Sequence, residues 1–250
     1  MEISTPARAT RHTTVKSNKT PPVEALSQLR ESIGLRQFAT VNGHALYRSR
    51  QLNNLSNADI ETLCELGIVD VYDLRKPTER EACERPSCAE RPPFRLHLIK
   101  GDLQDDPRRT QLHRAKDIVG TYGSPGERMI NLYTTMARQG DLLRASIDPL
   151  LHPTAPALVH CVNGKDRTGI ICACVQRLLG FDDTLITRDY LVTNTLNAAM
   201  NQRDLTALSK HLTPDELAVM AAMFEARLPY LEAFWQTINE EYGSFNAFMH

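Results

Sequence analysis

Apolar positions along this chain recur with two periods, about 3.6 and 2, and the switches between them mark the elements. Residues 23–33, VEALSQLRESI, set Val23, Leu26, Leu29 and Ile33 near helical spacing and predict a short helix. Asn42-Gly43 between two apolar runs predicts a hairpin with strands over 38–41 and 44–48, because a type I′ turn needs positive φ at both central positions. SNADIETLCELG predicts a helix capped by Ser56 or Asn57, with Ile60, Leu63, Cys64 and Leu66 on one face and a stop at Gly67. A β-branched strand follows over Ile68–Tyr72. Residues 76–93, with four prolines and many charges, predict a loop. Alternation from Phe94 in FRLHLI predicts a strand, and KGDLQDDPRRTQ a charged loop after it.

The second half is mostly helical in pattern. Ser124-Pro125-Gly126-Glu127 reads as a capping box with proline at the first helical position, opening a helix to about Gln139 that Gly140 stops. A helix over 142–151 is expected to kink or break at Pro149. ALVHC (157–161) predicts a short buried strand. TGIICACVQRLLG, apolar nearly all round, predicts a buried helix over 168–179 that ends at Gly180. Residues 183–199 read as helical, Thr213-Pro214-Asp215-Glu216 opens a helix to about Ala226, and Pro229 restarts one with Leu231, Phe234, Trp235, Ile238 and Tyr242 on one face. Five strands among seven or eight helices, without repeats, predict one α/β domain over 23–250 with a small central sheet and a helical C-terminal half.

Composition narrows the class. The chain has 250 residues, 42% hydrophobic and 24% charged, with a formal net charge of -1. That suits a globular domain and gives no global basic field for nucleic acid or an anionic membrane. No apolar run approaches the ~20 residues of a membrane span. Residues 1–22 are polar and lightly basic, with Arg8, Arg11, Lys16 and Lys19 against Glu2. They lack the apolar segment of a signal peptide and read as a flexible tail. The six cysteines match neither a zinc pattern nor C-x-x-C, so free thiols in a reducing compartment, and no metal, are expected.

The chemistry concentrates in HCVNGKDRTG (160–169). Strand, tight loop (162–167) and helix follow one another there, at the carboxyl end of a strand, where α/β sheets bind ligands. A helix N-terminus also aims unpaired N–H groups at one spot, which suits an anion. Cys161 opens the loop and Arg167 closes it. A loop of this length can curl its amides around a tetrahedral phosphate, while Arg167 supplies a permanently charged fork. The same setting favours the Cys161 thiolate, the nucleophilic form. Gly164 permits backbone angles forbidden to other residues. Thr168 can offer its hydroxyl to the sulfur, and His160 is expected to fix the loop.

These residues resemble the cysteine-dependent phosphatases, whose signature is His-Cys, five residues, then Arg-Thr or Arg-Ser. The fuller loop is similar to that of the bacterial and fungal tyrosine phosphatase family, His-Cys-x-x-Gly-Lys-Asp-Arg-Thr-Gly, which includes secreted phosphatases of mycobacteria and Listeria. LYRSRQL (46–52), YDLRKPTER (72–80), DYLVTN (189–194) and YLEAFWQTINEEYGS (230–244) match further segments of that family in order. GLRQF (34–38) departs from its Asn-Phe-Arg. The resemblance implies the cysteine-phosphatase fold with a mostly parallel sheet, no cofactor, and hydrolysis of phosphotyrosine. Several members also act on phosphoserine, phosphothreonine and phosphoinositides. It further implies that Val162, Asn163, Gly164, Lys165 and Thr168 form the phosphate loop.

The proton donor is left open between carboxylates. Asp166 lies in the loop where the family pattern has an aspartate for which an acid role has been proposed. Asp102, Asp105 and Asp106 lie in the charged loop, and Asp73 stands at a strand end, where an ion pair with Arg75 is the structural reading. Lys165 either supplies a second cation for phosphoinositides or pairs with Asp166 to shape the loop. Arg48 is expected to support the loop. A rhodanese-type sulfurtransferase and a phospho-binding pseudophosphatase are the alternatives. The expected partner is a phosphorylated protein or a phosphoinositide. The expected location is the cytoplasm, or outside the cell by a route without a signal peptide.

Overall fold

The computed structural model describes residues 21–99, 101–104 and 118–250. Residues 1–20, and with them most of the expected tail, lie outside the described residues, as do Asp105 and Asp106.

The hairpin forms as its turn chemistry requires. β1 (Arg36–Val41) and β2 (His44–Ser49) pair antiparallel, with Asn42 at φ 51° and Gly43 at φ 80°. β3 (Asp70–Asp73), β4 (Arg95–Leu98) and β5 (Ala157–His160) complete a five-stranded sheet in the order β1-β2-β5-β3-β4, and every pairing beyond the hairpin is parallel. β5 is therefore central and covered on both faces, which explains its unbroken apolar run. Leu158 packs with Leu29 and Ile33 of α1 (Val23–Ile33) and Leu63 of α2 (Asn57–Glu65). Ala157, Val159 and Cys161 join the larger cluster on the other face.

That larger cluster is built by α5 (Glu127–Arg138), α6 (Gly140–Leu151), α7 (Asp166–Leu178) and α10 (Leu228–Tyr242). α7 is buried continuously from Arg167 to Gln176. Its β-branched Ile170, Ile171 and Val175 are mediocre helix formers. Each nonetheless gains about 1.5–3 kcal/mol on burial, so packing rather than propensity holds this helix.

Several boundaries differ from the sequence pattern for local reasons. The expected loop 76–93 contains α3 (Pro77–Glu81) and a 3-10 turn at Cys88–Glu90. Pro77 opens that helix rather than breaking it, with the Lys76 N–H donating to the Glu79 carboxylate at 2.9 Å. Gly126 takes φ 98°, so α5 starts at Glu127 and Pro125 stays outside. Gly140, expected as a stop, opens α6, which runs through Pro149 to Leu151. α7 starts at Asp166 instead of Thr168. α8 (Asp183–Leu208) runs well past residue 199, while α9 (Pro214–Phe224) starts on the expected Thr213–Glu216 capping box. α4 (Ile118–Tyr122) and α11 (Phe245–Met249) carry no clear pattern in the sequence. No helix among the described residues is long and apolar enough to cross a membrane.

Register brings Ser49, Asp73 and His160 to one level at the carboxyl ends of β2, β3 and β5. The side chain of Asp73 is fully buried there and takes the Arg75 guanidinium on both oxygens, at 2.7–3.1 Å. Burial pushes the Asp73 pKa up, but His160 and Arg75 outweigh it and the net direction is below the ordinary carboxylate range. A depressed carboxylate stabilises the fold above its unfolded pKa of ~3.9, and that contribution is lost as pH falls through the folded value. Asp73→Asn leaves Arg75 buried without its counter-charge and is expected to cost about 3–5 kcal/mol at pH 7 in urea denaturation. The gap to wild type is expected to narrow progressively as pH falls below about 4; a gap that does not narrow there rules out this account.

Candidate active site

The loop from Cys161 to Lys165 is held by its carbonyls. His160 Nδ1 donates to Cys161 O at 3.1 Å, and the Gln51 N–H donates to Val162 O at 3.0 Å. Asn197 Nδ2 reaches Asn163 O at 3.1 Å, and Arg48 Nη2 reaches Gly164 O at 2.8 Å. The Gly169 N–H closes the first turn of α7 on Lys165 O at 2.9 Å. A trans peptide directs its N–H opposite to its C=O. Five carbonyls anchored behind the loop therefore turn the amides of residues 162–166 toward its interior. The first amides of α7 add to them, since a helix leaves those N–H groups without internal partners. Gly164 makes this path possible. Its φ is +61°, and a Cβ there would stand 2.5 Å from the Ser49 carbonyl oxygen.

Arg167 is 3% exposed and charged. Its Nη1 donates to Leu74 O at 3.0 Å and to Glu79 Oε2 at 2.6 Å, and its Nη2 to Glu79 Oε1 at 2.9 Å. Glu79 thus takes the end-on fork. The side-on fork, Nε–H with the second Nη2 hydrogen, stays open, and Nε has no partner among the described residues. Burial works against the charge, but Cys161 and Glu79 outweigh it and push the Arg167 pKa up. Thr168 is fully buried, and its hydroxyl has no partner among the described residues.

α8 braces the loop from behind. Asp189 binds Arg48 Nη1 at 2.5 Å and Arg36 Nε at 2.9 Å, and Arg48 carries that anchorage to Gly164. Burial alone would raise the Asp189 pKa; Arg48 and Arg36 reverse it. Arg36 itself falls to about 10 through burial and the nearby Arg48. His160 is fully buried, and burial pulls its pKa down, which suits a neutral ring that donates from Nδ1.

The candidate carboxylates separate by position. Asp73 is occupied by Arg75, as described above. Asp166 opens α7, accepts the Tyr133 hydroxyl on Oδ1 at 2.9 Å and keeps Oδ2 without a hydrogen bond among the described residues. Asp102 accepts the Gln104 N–H on Oδ1 at 2.9 Å, while its buried Oδ2 makes no hydrogen bond among the described residues and is ion-paired with Lys76. Lys165 is 2% exposed. Its ammonium donates to the carbonyls of Met223 and Glu225 and lies 3.4 Å from Asp166 Oδ1. Those three acceptors match its three protons, so the geometry supports shaping of the loop over a free second cation.

Sequence reading quoted the segments that hold Glu79, Asp189 and Tyr190 but gave these residues no role, and it passed over Tyr133 and Asn197. The signal was present for Glu79, three residues after Lys76 in a proline-opened capping box. All six cysteines are free thiols. Cys172 and Cys174 lie in the core of α7, where burial pushes the Cys172 thiol up to about 12.

The sequence model of the tyrosine phosphatase family matches residues 21–250. The triple specificity protein phosphatase PtpB of Mycobacterium tuberculosis is 31% identical over 233 residues, covering 82% of this chain and 84% of its own. A Cupriavidus necator protein described as a tyrosine-protein phosphatase is 27% identical over 205 residues, covering 82% of this chain and 72% of its own. The crystal structure of TpbA from P. aeruginosa aligns with 76% of this chain and 92% of its own at 18% identity and a TM-score of 0.35, too low an overlap to argue from.

Glu79→Gln replaces one of the two accepting oxygens by an NH2 donor, so the two-point contact that holds the Arg167 guanidinium is lost. Inorganic phosphate is then expected to bind about tenfold more weakly by calorimetry, a change of about 1.4 kcal/mol. An unchanged affinity with an unchanged melting temperature would show that Glu79 does not orient Arg167.

Proposed function

The chain belongs to the tyrosine phosphatase family, and from that premise we propose that residues 23–250 form one catalytic domain that hydrolyses phosphotyrosine through a cysteinyl-phosphate intermediate. The observation that carries this reading is the polarity of the loop: the five successive carbonyls from Cys161 to Lys165 each accept a hydrogen bond, which turns the intervening amides the other way.

In this reading the phosphate oxygens take the loop N–H groups and the side-on fork of Arg167. The Cys161 thiolate attacks phosphorus, an S–P bond forms, the P–O bond to the substrate breaks, and the leaving oxygen takes a proton from Asp166. Water then attacks phosphorus and gives a proton back to Asp166 as the S–P bond breaks. The Thr168 hydroxyl stabilises the departing thiolate. Asp166 is preferred to Asp102 because its Oδ2 faces neither a hydrogen-bond donor nor a paired cation, whereas Oδ2 of Asp102 is buried and ion-paired with Lys76. The relative named for triple specificity supports a wider range, so phosphoserine, phosphothreonine and phosphoinositides are included as substrate classes. A catalytic thiol needs reducing surroundings, which favours the cytoplasm.

Cys161→Ser is expected to cut phosphate release from para-nitrophenyl phosphate by more than about a thousandfold while inorganic phosphate still binds. Production of thiocyanate and sulfite from thiosulfate and cyanide, in place of phosphate release, would overturn the reading. Asp166→Asn is expected to slow phenyl phosphate, with its poor leaving group, by about a hundredfold more than para-nitrophenyl phosphate. If Asp102→Asn shows that selectivity and Asp166→Asn does not, the assignment passes to Asp102.

A further inference from the structure

Two buried phenols stand behind Asp166. Tyr133, on α5, is fully buried, and Tyr190, on α8, is 1% exposed. Their hydroxyl oxygens lie 2.7 Å apart, and Tyr133 also donates to Asp166 Oδ1 at 2.9 Å. A phenol has one proton. Since Tyr133 spends its proton on the carboxylate, it must accept from Tyr190, and the chain of bonds has one direction: Tyr190 to Tyr133 to Asp166.

Neither hydroxyl is explained by packing. A buried hydroxyl costs about 1–3 kcal/mol unless it is paired, and phenylalanine would fill the same space without that cost. The rings are held firmly. Tyr133 meets Tyr190 edge-on, with centroids 6.2 Å apart, and Tyr230 of α10 at 5.8 Å. Gly169 lets Tyr190 approach α7, because a Cβ there would lie 3.1 Å from the Tyr190 ring. Burial, then Asp166, pushes the Tyr133 pKa well up, so the phenol keeps the proton it donates. The groups facing Asp166 are Tyr133 from α5, Tyr190 from α8, Tyr230 from α10 and Lys165 from the loop.

The geometry points to Tyr133, backed by Tyr190, as a positioning residue that fixes Oδ1 of Asp166 and presents Oδ2 to the leaving group and to water. The inference rests on the reading of Asp166 as proton donor. It extends the machinery beyond the loop to α5 and α8.

The test is the leaving-group dependence and pH profile of kcat/KM for Tyr133→Phe, Tyr190→Phe, Asp166→Asn and the double variant Tyr133→Phe/Asp166→Asn. Tyr133→Phe is expected to slow phenyl phosphate roughly tenfold more than para-nitrophenyl phosphate. Its alkaline limb is expected to move to higher pH, because the carboxylate loses a donor and holds its proton more readily. Tyr190→Phe is expected to act in the same sense but less, and the double variant to be no worse than Asp166→Asn. Equal losses on both substrates, an unmoved limb, or additive losses in the double variant would overturn the inference. If Asp166→Asn itself lacks the selectivity, the proton-donor reading fails first and this inference falls with it. Should Tyr133→Phe melt early, Tyr190→Phe carries the test in weaker form, since Tyr133 then donates to Asp166 without Tyr190 behind it, and an unmoved leaving-group dependence there would overturn the inference.

Discussion

A peptide plane carries its donor and its acceptor on opposite sides, and the whole site follows from that. To aim a run of amides at one point, the chain must dispose of the same number of carbonyls behind it. Here the five carbonyls of residues 161–165 meet a histidine, a strand-end amide, an asparagine, an arginine and the first turn of α7. Each partner needs support in turn. Arg48, 1% exposed, has Asp189 as its counter-charge, which it shares with Arg36. The anion cradle is thus the inner surface of a larger polar structure set into a hydrophobic core.

α8 supplies much of that structure from one face. Asp189 and Tyr190 are consecutive, yet one reaches Gly164 through Arg48 and the other reaches Asp166 through Tyr133. Two turns on, Asn197 holds Asn163. Between them on the helix, Asn194 closes a reciprocal pair with Ala226, while Lys165 ties the loop to the carbonyls of Met223 and Glu225. Loop, α8 and the end of α9 are therefore fixed to one another by hydrogen bonds rather than by apolar contact alone.

The frame and the loop were legible in the sequence because both rest on local chemistry. Asn42-Gly43 dictates its hairpin, the apolar run of β5 announces a central strand, and Gly164 marks the bend. The two-sided burial of β5 is the same fact as its lack of alternation. Residues whose roles depend on distant partners were not legible. Glu79 meets Arg167 across 88 residues, Asp189 meets Arg48 across 141, and Tyr133 meets Asp166 across 33. No periodicity records such pairings. Proline misled in both directions: Pro77 opens a helix inside a segment read as loop, and Pro149 sits within α6 without cutting it.

The pairing of Arg167 with Glu79 has a bearing on how substrate arrives. The strongest cation at the site is neutralised in place, the amides act only as dipoles, and the chain as a whole carries a formal charge of -1. Little field extends beyond a Debye length, about 8 Å at physiological ionic strength. Under the proposed function, the charge of Arg167 itself then draws an approaching phosphate little from afar, and the loop amides and the open side of the guanidinium act at contact distance.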